Sequence, residues 1–431
     1  MKLAIKITIL FLIIFRFRLP VLFDTTILAM ILSSLYYLFT RRALPFTCFF
    51  NRYVVTVMIG LLLLVWIVMF ITVAHRAYDF FLLKIFGFQA IMLVAMIYAM
   101  PLLLEDDEEH AFERASLLVC YAFAVQGFIY LLGFFIPPFG DFLISMKQET
   151  VRDTLLSPTM HQAFRGYALA GTIFFELPAG IGVTWILLVR LLTKEDQTWI
   201  TGYKPYLLFV LFFIESMFSG RTAFIGLLMA AVMGFLLIRH SLARILKSVA
   251  FVAVFAGLLA VAYAYVPDEQ KMLLEEDIFP YAFEAWYTYE ETGKVATRSS
   301  DALIHGHYYR LPDRTLLCGE GKFSKKGGGF YGDTDAGYMR NALFGGIPYI
   351  LCLVIYQWLY FYRPLTISGR LRRTKEGYGD FMCFLTLFLY IFVLEYKGSA
   401  LGIMNILEVL LFFICFSYMM RYYRREDAEN P

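Results

Sequence analysis

Val54–Val73, VVTVMIGLLLLVWIVMFITV, is twenty consecutive residues without a charge. As a helix that segment rises ~30 Å, the hydrocarbon thickness of a bilayer. Similar runs recur on both sides of it. The hydropathy pattern predicts helices at about 3–19, 21–40, 54–73, 85–104, 115–136, 167–189, 204–219, 222–238, 248–265, 335–361, 380–396 and 398–420. Of the 431 residues, 60% are hydrophobic and 17% charged, against ~45–50% apolar and ~25% charged in a soluble domain. That excludes a soluble globular protein, a disordered chain and a disulfide scaffold. The runs are too continuous for the alternating strands of an outer-membrane barrel. The expected fold is all-α, a polytopic bundle of about twelve transmembrane helices.

Lysines and arginines orient the bundle, because they concentrate in cytoplasmic loops. With the N-terminus inside, the cytoplasmic side receives Lys2, Lys6, Arg41, Arg42, Arg52, Arg239, Arg244 and Lys247. It also receives the basic run from Arg363 to Lys375 and the tail arginines Arg421, Arg424 and Arg425. Arg16 and Arg18 run against the bias. The even helix count returns the C-terminus to the inside. The division expected is helices one to nine over residues 1–265, with a medium outer loop at 137–166. A large outer loop follows at 266–334, then helices ten to twelve at 335–420 and a tail at 421–431. The first apolar run has the basic start of a signal peptide but no small-residue cleavage site after it, so it reads as a retained helix. The acidic cluster Glu105–Glu109 reads as a solvated cytoplasmic face.

Several function classes drop out. Net charge is +3, too small to argue for nucleic acid. There is no P-loop and no GxGxxG, and no cytoplasmic segment is long enough for a nucleotide-binding domain. The six cysteines show no metal-binding spacing, and His305 with His307 supplies two ligands where three are expected. No metal or cofactor is expected. No inverted repeat is visible, which lowers a transporter reading.

What remains is a set of arginines at the outer helix starts. Arg165 stands in Phe164-Arg165-Gly166, Arg221 in Ser219-Gly220-Arg221-Thr222, and Arg340 follows Asp335-Ala336-Gly337-Tyr338-Met339. A guanidinium grips phosphate with two donors at once, and helix N-termini favour anions. Two or three such arginines converging would hold a diphosphate without metal. Each could instead extend to the interface or pair with an acid. The large loop adds Arg298, His305, His307, Arg310 and Arg314. His305 is a candidate general base, and Asp335 is a rival base or a helix cap. Glu176, Glu215 and Glu408 lie in apolar runs, where a carboxylate is costly and either pairs structurally or carries protons. The run Glu275–Tyr289, EEDIFPYAFEAWYTY, suggests an interfacial helix. Tyr281, Trp286, Tyr308 and Tyr309 are possible platforms for sugar rings, with packing as the plainer role.

These motifs, in this order, resemble the O-antigen polymerases (Wzy-type) and, more distantly, the O-antigen ligases. The likeness rests on Phe164-Arg165-Gly166, on Ser219-Gly220-Arg221-Thr222-Ala223, and on the long loop with Arg298 and Leu316-Leu317-Cys318-Gly319-Glu320-Gly321. It ends with Asp333-Thr334-Asp335-Ala336-Gly337-Tyr338 and Asn341-Ala342-Leu343-Phe344-Gly345-Gly346-Ile347. It covers roughly residues 160–360. The resemblance implies a GT-C-like membrane glycosyltransferase of the bacterial inner membrane, with the large loop periplasmic. It implies transfer of a growing glycan from undecaprenyl diphosphate to the non-reducing end of a lipid-linked repeat unit. Arg165, Arg221 and Arg298 would hold diphosphate, with Arg340 as a further candidate. Glu215 and His305 are candidate catalytic groups beside Asp335, and Arg310, Tyr338 and Trp286 are candidate substrate contacts. A chain-length regulator is the implied protein partner, and the bilayer is the other. The alternatives are a ligase, which uses lipid A core as acceptor, and a flippase of lipid-linked glycan.

Overall fold

The computed structural model describes residues 3–18, 24–40, 46–104, 109–157, 162–194, 200–294, 296–325 and 329–429. Among them the chain is all-α: two isolated bridges, Arg18–Asp24 and Ser324–Phe330, are the only β pairings. Seven helices are long and apolar enough to cross a membrane: Arg52–Ala74, Phe81–Leu104, Ala111–Phe135, Glu176–Thr193, Ile245–Ala264, Gly337–Arg370 and Lys375–Lys397. Four shorter apolar helices, Leu3–Phe15, Thr25–Phe39, Thr222–Ile238 and Asn405–Met420, accompany them. Large apolar side chains such as Leu62, Trp66 and Phe70 point outward. An outward apolar surface of that kind suits lipid, not water.

The chain folds as two compact units, each assembled from three stretches. The first comprises Met1–Thr25, Ser116–Val295 and Leu371–Thr386. At its centre Glu176–Thr193 packs on Thr222–Ile238. Glycine makes that approach possible, since a Cβ on Gly226 would lie 2.1 Å from Cα of Gly182. Trp185, fully buried, packs on Phe209 and Phe212 and donates from Nε1 to Ser216 Oγ at 3.1 Å. A buried ion pair closes one end. Arg190 donates through Nε and Nη2 to Asp380 Oδ1 at 2.9 and 2.6 Å, and through Nη2 to the Glu376 carbonyl at 3.1 Å.

The second unit comprises Thr26–Ala115, Ala296–Arg370 and Leu387–Pro431. Gly337–Arg370 packs against Arg52–Ala74 and Asn405–Glu429, and the latter against Phe81–Leu104. Buried tyrosines stitch these helices. Tyr53 Oη donates to the Tyr360 carbonyl at 3.0 Å, Gln89 Nε2 donates to Tyr356 Oη at 3.1 Å, and the Tyr356 and Tyr360 hydroxyls pair at 2.8 Å. Buried polar groups need such partners, because an unmet one costs ~1–3 kcal/mol.

Several helix boundaries differ from the hydropathy reading, among them the helix expected over 398–420, which spans Asn405–Glu429. The helix expected over 167–189 begins at Glu176. Tertiary bonds claim the backbone before it: Lys147 Nζ donates to the Ala168 and Ala170 carbonyls, and Gly171 N–H donates to the Phe15 carbonyl at 2.9 Å. Pro178 then falls in the first turn, where a missing N–H costs nothing. The helix expected over 335–361 runs on to Arg370 through a kink at Gly346.

Candidate functional site

The first unit brings Arg165 and Arg221 together. Ala163–Tyr167 is a 3-10 turn, not the start of a helix, so Arg165 lies eleven residues before Glu176–Thr193 begins. Phe164 anchors the turn, buried edge-on against Phe218 and Tyr281. Gly166 fits tightly beside Ile144 and Leu155. Arg165 is consequently buried, and its guanidinium is fully oriented. Nε donates to the Ser219 carbonyl at 2.9 Å, Nη1 to Gln162 Oε1 at 2.8 Å and Nη2 to the Phe174 carbonyl at 2.7 Å.

The sequence Ser219-Gly220-Arg221-Thr222 is the break between Lys204–Ser219 and Thr222–Ile238. Gly220 takes φ 155°, and a Cβ there would meet Tyr281 Oη at 3.3 Å, Pro178 Cγ at 3.4 Å and Arg165 Nη2 at 3.5 Å. Three segments therefore close around that one residue. Tyr281, from the Phe279–Ala282 turn, is the shared platform. The Cζ atoms of Arg165 and Arg221 lie 5.4 and 5.1 Å from its ring centroid. Arg221 pairs with Glu284. Arg165 donates to neutral acceptors, and the Glu284 carboxylate is in contact with Arg221. Two guanidiniums beside one aromatic ring suit an anion with several oxygens.

Glu215 is fully buried on Lys204–Ser219, and both its oxygens lack a hydrogen-bond partner. Tyr130 Oη and Ser219 Oγ are likewise unsatisfied. Tyr130 lies within electrostatic reach of Glu215, Arg165 and Tyr281. Buried polar groups in folded proteins are almost always paired, so these three call for a partner or a role. Trp286 lies in the same unit, exposed on Glu284–Thr292, with Nε1 donating to Glu290 Oε1 at 2.9 Å.

The second unit holds the other predicted residues. Arg340 is gripped between Phe323 and Phe330, with Cζ 4.0 and 3.6 Å from their ring centroids. Its Nε has no hydrogen-bond partner. Asp335 and Glu395 act on it electrostatically without closing an ion pair. The Asp335 carboxylate makes no hydrogen bond, and Thr334 Oγ1 instead accepts from the Ala336 N–H at 3.2 Å. His307 is the histidine beside Asp335: its Nδ1 lies 3.3 Å from the Asp335 nitrogen and 3.1 Å from the Asp333 carbonyl. His305, two residues earlier, is exposed and unpartnered. Arg310 is exposed as well. Tyr338 donates to the Phe392 carbonyl at 3.3 Å. Arg298 opens the short helix Arg298–Ala302, and its side chain lies outside the described residues.

Sequence reasoning did not find two contributors. Glu284 lies inside the aromatic run it quoted, and only tertiary closure reveals its pairing with Arg221. Asp79 ties down the loop that carries the Arg340 clamp. It accepts from the Phe323 and Ser324 N–H groups at 2.7 and 2.6 Å and from the Phe81 N–H at 3.0 Å. Burial pushes the Asp79 carboxyl up, but the donors from Ser324, Phe323 and Phe81 outweigh it and hold the group below its ordinary pKa.

No protein-family model, curated protein or solved structure matches this chain. Among the described residues no cluster of three histidines, cysteines or acids could hold a metal ion. What the arrangement offers chemically is oriented cationic donors beside aromatic rings, with carboxylates and imidazoles elsewhere on the chain.

Proposed function

We propose that this chain is a membrane glycosyltransferase of the O-antigen polymerase kind, in a GT-C-like bundle of about twelve spans with both termini cytoplasmic. It acts at the periplasmic face of the bacterial inner membrane. It transfers a growing glycan from undecaprenyl diphosphate to the non-reducing end of a new lipid-linked repeat unit. The observation that carries this reading is the convergence of Arg165 and Arg221 on Tyr281, at the Ser219-Gly220-Arg221-Thr222 break.

The chemistry follows from that convergence. An acceptor hydroxyl attacks the anomeric carbon, and the bond from that carbon to the diphosphate oxygen breaks. Charge then builds on the departing diphosphate. The Arg165 guanidinium, already oriented by Ser219, Gln162 and Phe174, stabilises that charge without reorganising, with Arg221 beside it. A base takes the acceptor's proton. His305, Asp335 and Glu215 are the candidates for that role, and Glu215 is buried from solvent. Arg298, Arg310, Arg340, Tyr338 and Trp286 are the further candidates for substrate contact, and a chain-length regulator is a candidate partner. The reaction is metal-independent on this reading, so activity persists in chelator.

The deciding experiment is a glycan ladder from a strain lacking the protein. The polymerase reading expects single repeats on the core and no long chains. Bare core with long lipid-linked polymer accumulating would make the protein a ligase, and an unchanged ladder would refute both.

A further inference from the structure

The helix that presents Glu284 to Arg221 continues as Glu284–Thr292, through Trp286, Tyr287 and Glu290. With Phe279 and Phe283 from the preceding turns, those three residues line an open groove of about 370 Å³. That volume falls within the ~300–1,000 Å³ of small-molecule sites. Trp286 is 64% exposed, and Phe283 and Tyr287 are 38% and 39% exposed. Three polar groups stand among the rings. The Trp286 indole N–H already donates to one oxygen of Glu290, which fixes the orientation of both side chains. The second Glu290 oxygen and the Tyr287 hydroxyl make no hydrogen bond.

We propose that this groove is a saccharide subsite, which takes one or two neutral sugar rings of the glycan whose diphosphate lies on Arg165 and Arg221. The inference rests on the glycosyltransferase reading and names where its substrate's sugars lie. A pyranose has an apolar face of C–H groups and a rim of hydroxyls. Aromatic rings match the face, while a carboxylate and a phenol match the rim. Other occupants fit less well. A lipid tail would bury Glu290 against hydrocarbon, where an unpaired carboxylate is costly. An anionic headgroup or an acidic sugar would meet Glu290 with no cation in the groove to offset it. The chain path adds to the argument, because Glu284 opens the same helix two residues before Trp286 and contacts Arg221.

The test is saturation-transfer NMR on the purified full-length protein in nanodiscs. The probes are maltose, diacetylchitobiose and rhamnose, with glucuronic acid as the anionic comparison. We expect transfer to the C–H protons of at least one neutral saccharide and none to glucuronic acid. Trp286→Ala should weaken that binding about tenfold. Glu290→Gln should weaken it several-fold. Both side chains are exposed, so both variants fold. Absence of saccharide binding in the wild type, or equal binding by Trp286→Ala, overturns the proposal. So does quenching of Trp286 fluorescence by brominated lipid, in a variant with the other four tryptophans replaced, which would mark this face as membrane-inserted. The probes carry neither lipid nor diphosphate. The subsite can therefore fail while Arg221→Ala still abolishes chain extension, and the reverse.

Discussion

Arg221 and Arg340 both stand at the beginning of an apolar helix, yet the protein surrounds them differently. Arg221 and Arg165 both lie over the ring of Tyr281, and a carboxylate, that of Glu284, pairs with Arg221. Arg340 is enclosed by rings on both planar faces, with acids at electrostatic range only. A carboxylate that pairs with an arginine can be exchanged for a phosphate, because the two offer the same oxygens to the same fork. An aromatic clamp cannot be exchanged that way. It holds the guanidinium by its faces and leaves only the edge open. The residue type and its place in the chain are thus shared by two arginines with unequal readiness to take an anion.

The largest expected effect follows directly. Arg221→Ala should cut chain extension by at least about 100-fold at normal protein level, the scale of losing a donor to developing charge. Arg221→Lys should be nearly as damaging, since an ammonium cannot make the two-pronged contact. Arg340→Lys should leave most activity. Glycan ladders with immunoblots of each strain decide the matter. Equal losses from Arg221→Lys and Arg340→Lys would break the comparison.

Arg190 supplies a third case, an arginine whose charge is fully consumed by structure. It is 2% exposed and bound to an equally buried Asp380. Removing either partner alone should destabilise the first unit by about 3–5 kcal/mol, because the other charge stays buried and unpaired. Replacing both with leucine should recover most of that loss. Thermal unfolding in nanodiscs measures it. A mild effect of Arg190→Ala on stability would remove the distinction between consumed and available arginines.

Hydropathy located apolar stretches that fold as helices, seven of them long and apolar enough to cross a membrane, because such a span demands one local signal: a long run with little charge. It also located the break at Ser219–Thr222, where glycine and arginine interrupt that signal. The partners were not legible. Arg165 meets a carbonyl 54 residues away, and Asp79 meets Ser324 across 245 residues. No periodicity encodes such pairings. The misplaced start of Glu176–Thr193 has the same origin, since Lys147 captures the Ala168 and Ala170 carbonyls from a distant turn. Burial lowers the Lys147 pKa to about 7, a cost that its two carbonyl acceptors offset.

Asp79 offers a moderate effect on the Arg340 side. Asp79→Asn should loosen the loop at Phe323 and Ser324 by about 1–2 kcal/mol, allowing for its partial exposure. The wild type should show the pH dependence that the variant lacks. A carboxyl held below its unfolded value stabilises fully above that value, near pH 4, and the stabilisation fades as pH falls further. Hydrogen exchange at the Phe323 and Ser324 amides, corrected for intrinsic rates, reads both. Equal protection in the two proteins from pH 7 to pH 3 would remove Asp79 from the loop's support.

The smallest expected effect tests the clamp itself. Phe330 is 40% exposed and packs on one face of Arg340. Phe330→Leu keeps most of the apolar area but removes the ring's negative face, so it should cost only about 0.5–1 kcal/mol. Its value lies in direction, not size. Freed on one side, the Arg340 guanidinium would expose a face to an anion, and the second unit should then bind pyrophosphate more tightly than the wild type does. Calorimetry with pyrophosphate on the Arg221→Ala background isolates that gain from the first site. No gain, with Arg340 still folded in place, would mean that the rings do not limit Arg340, and that the contrast between the two arginines lies elsewhere than in their aromatic neighbours.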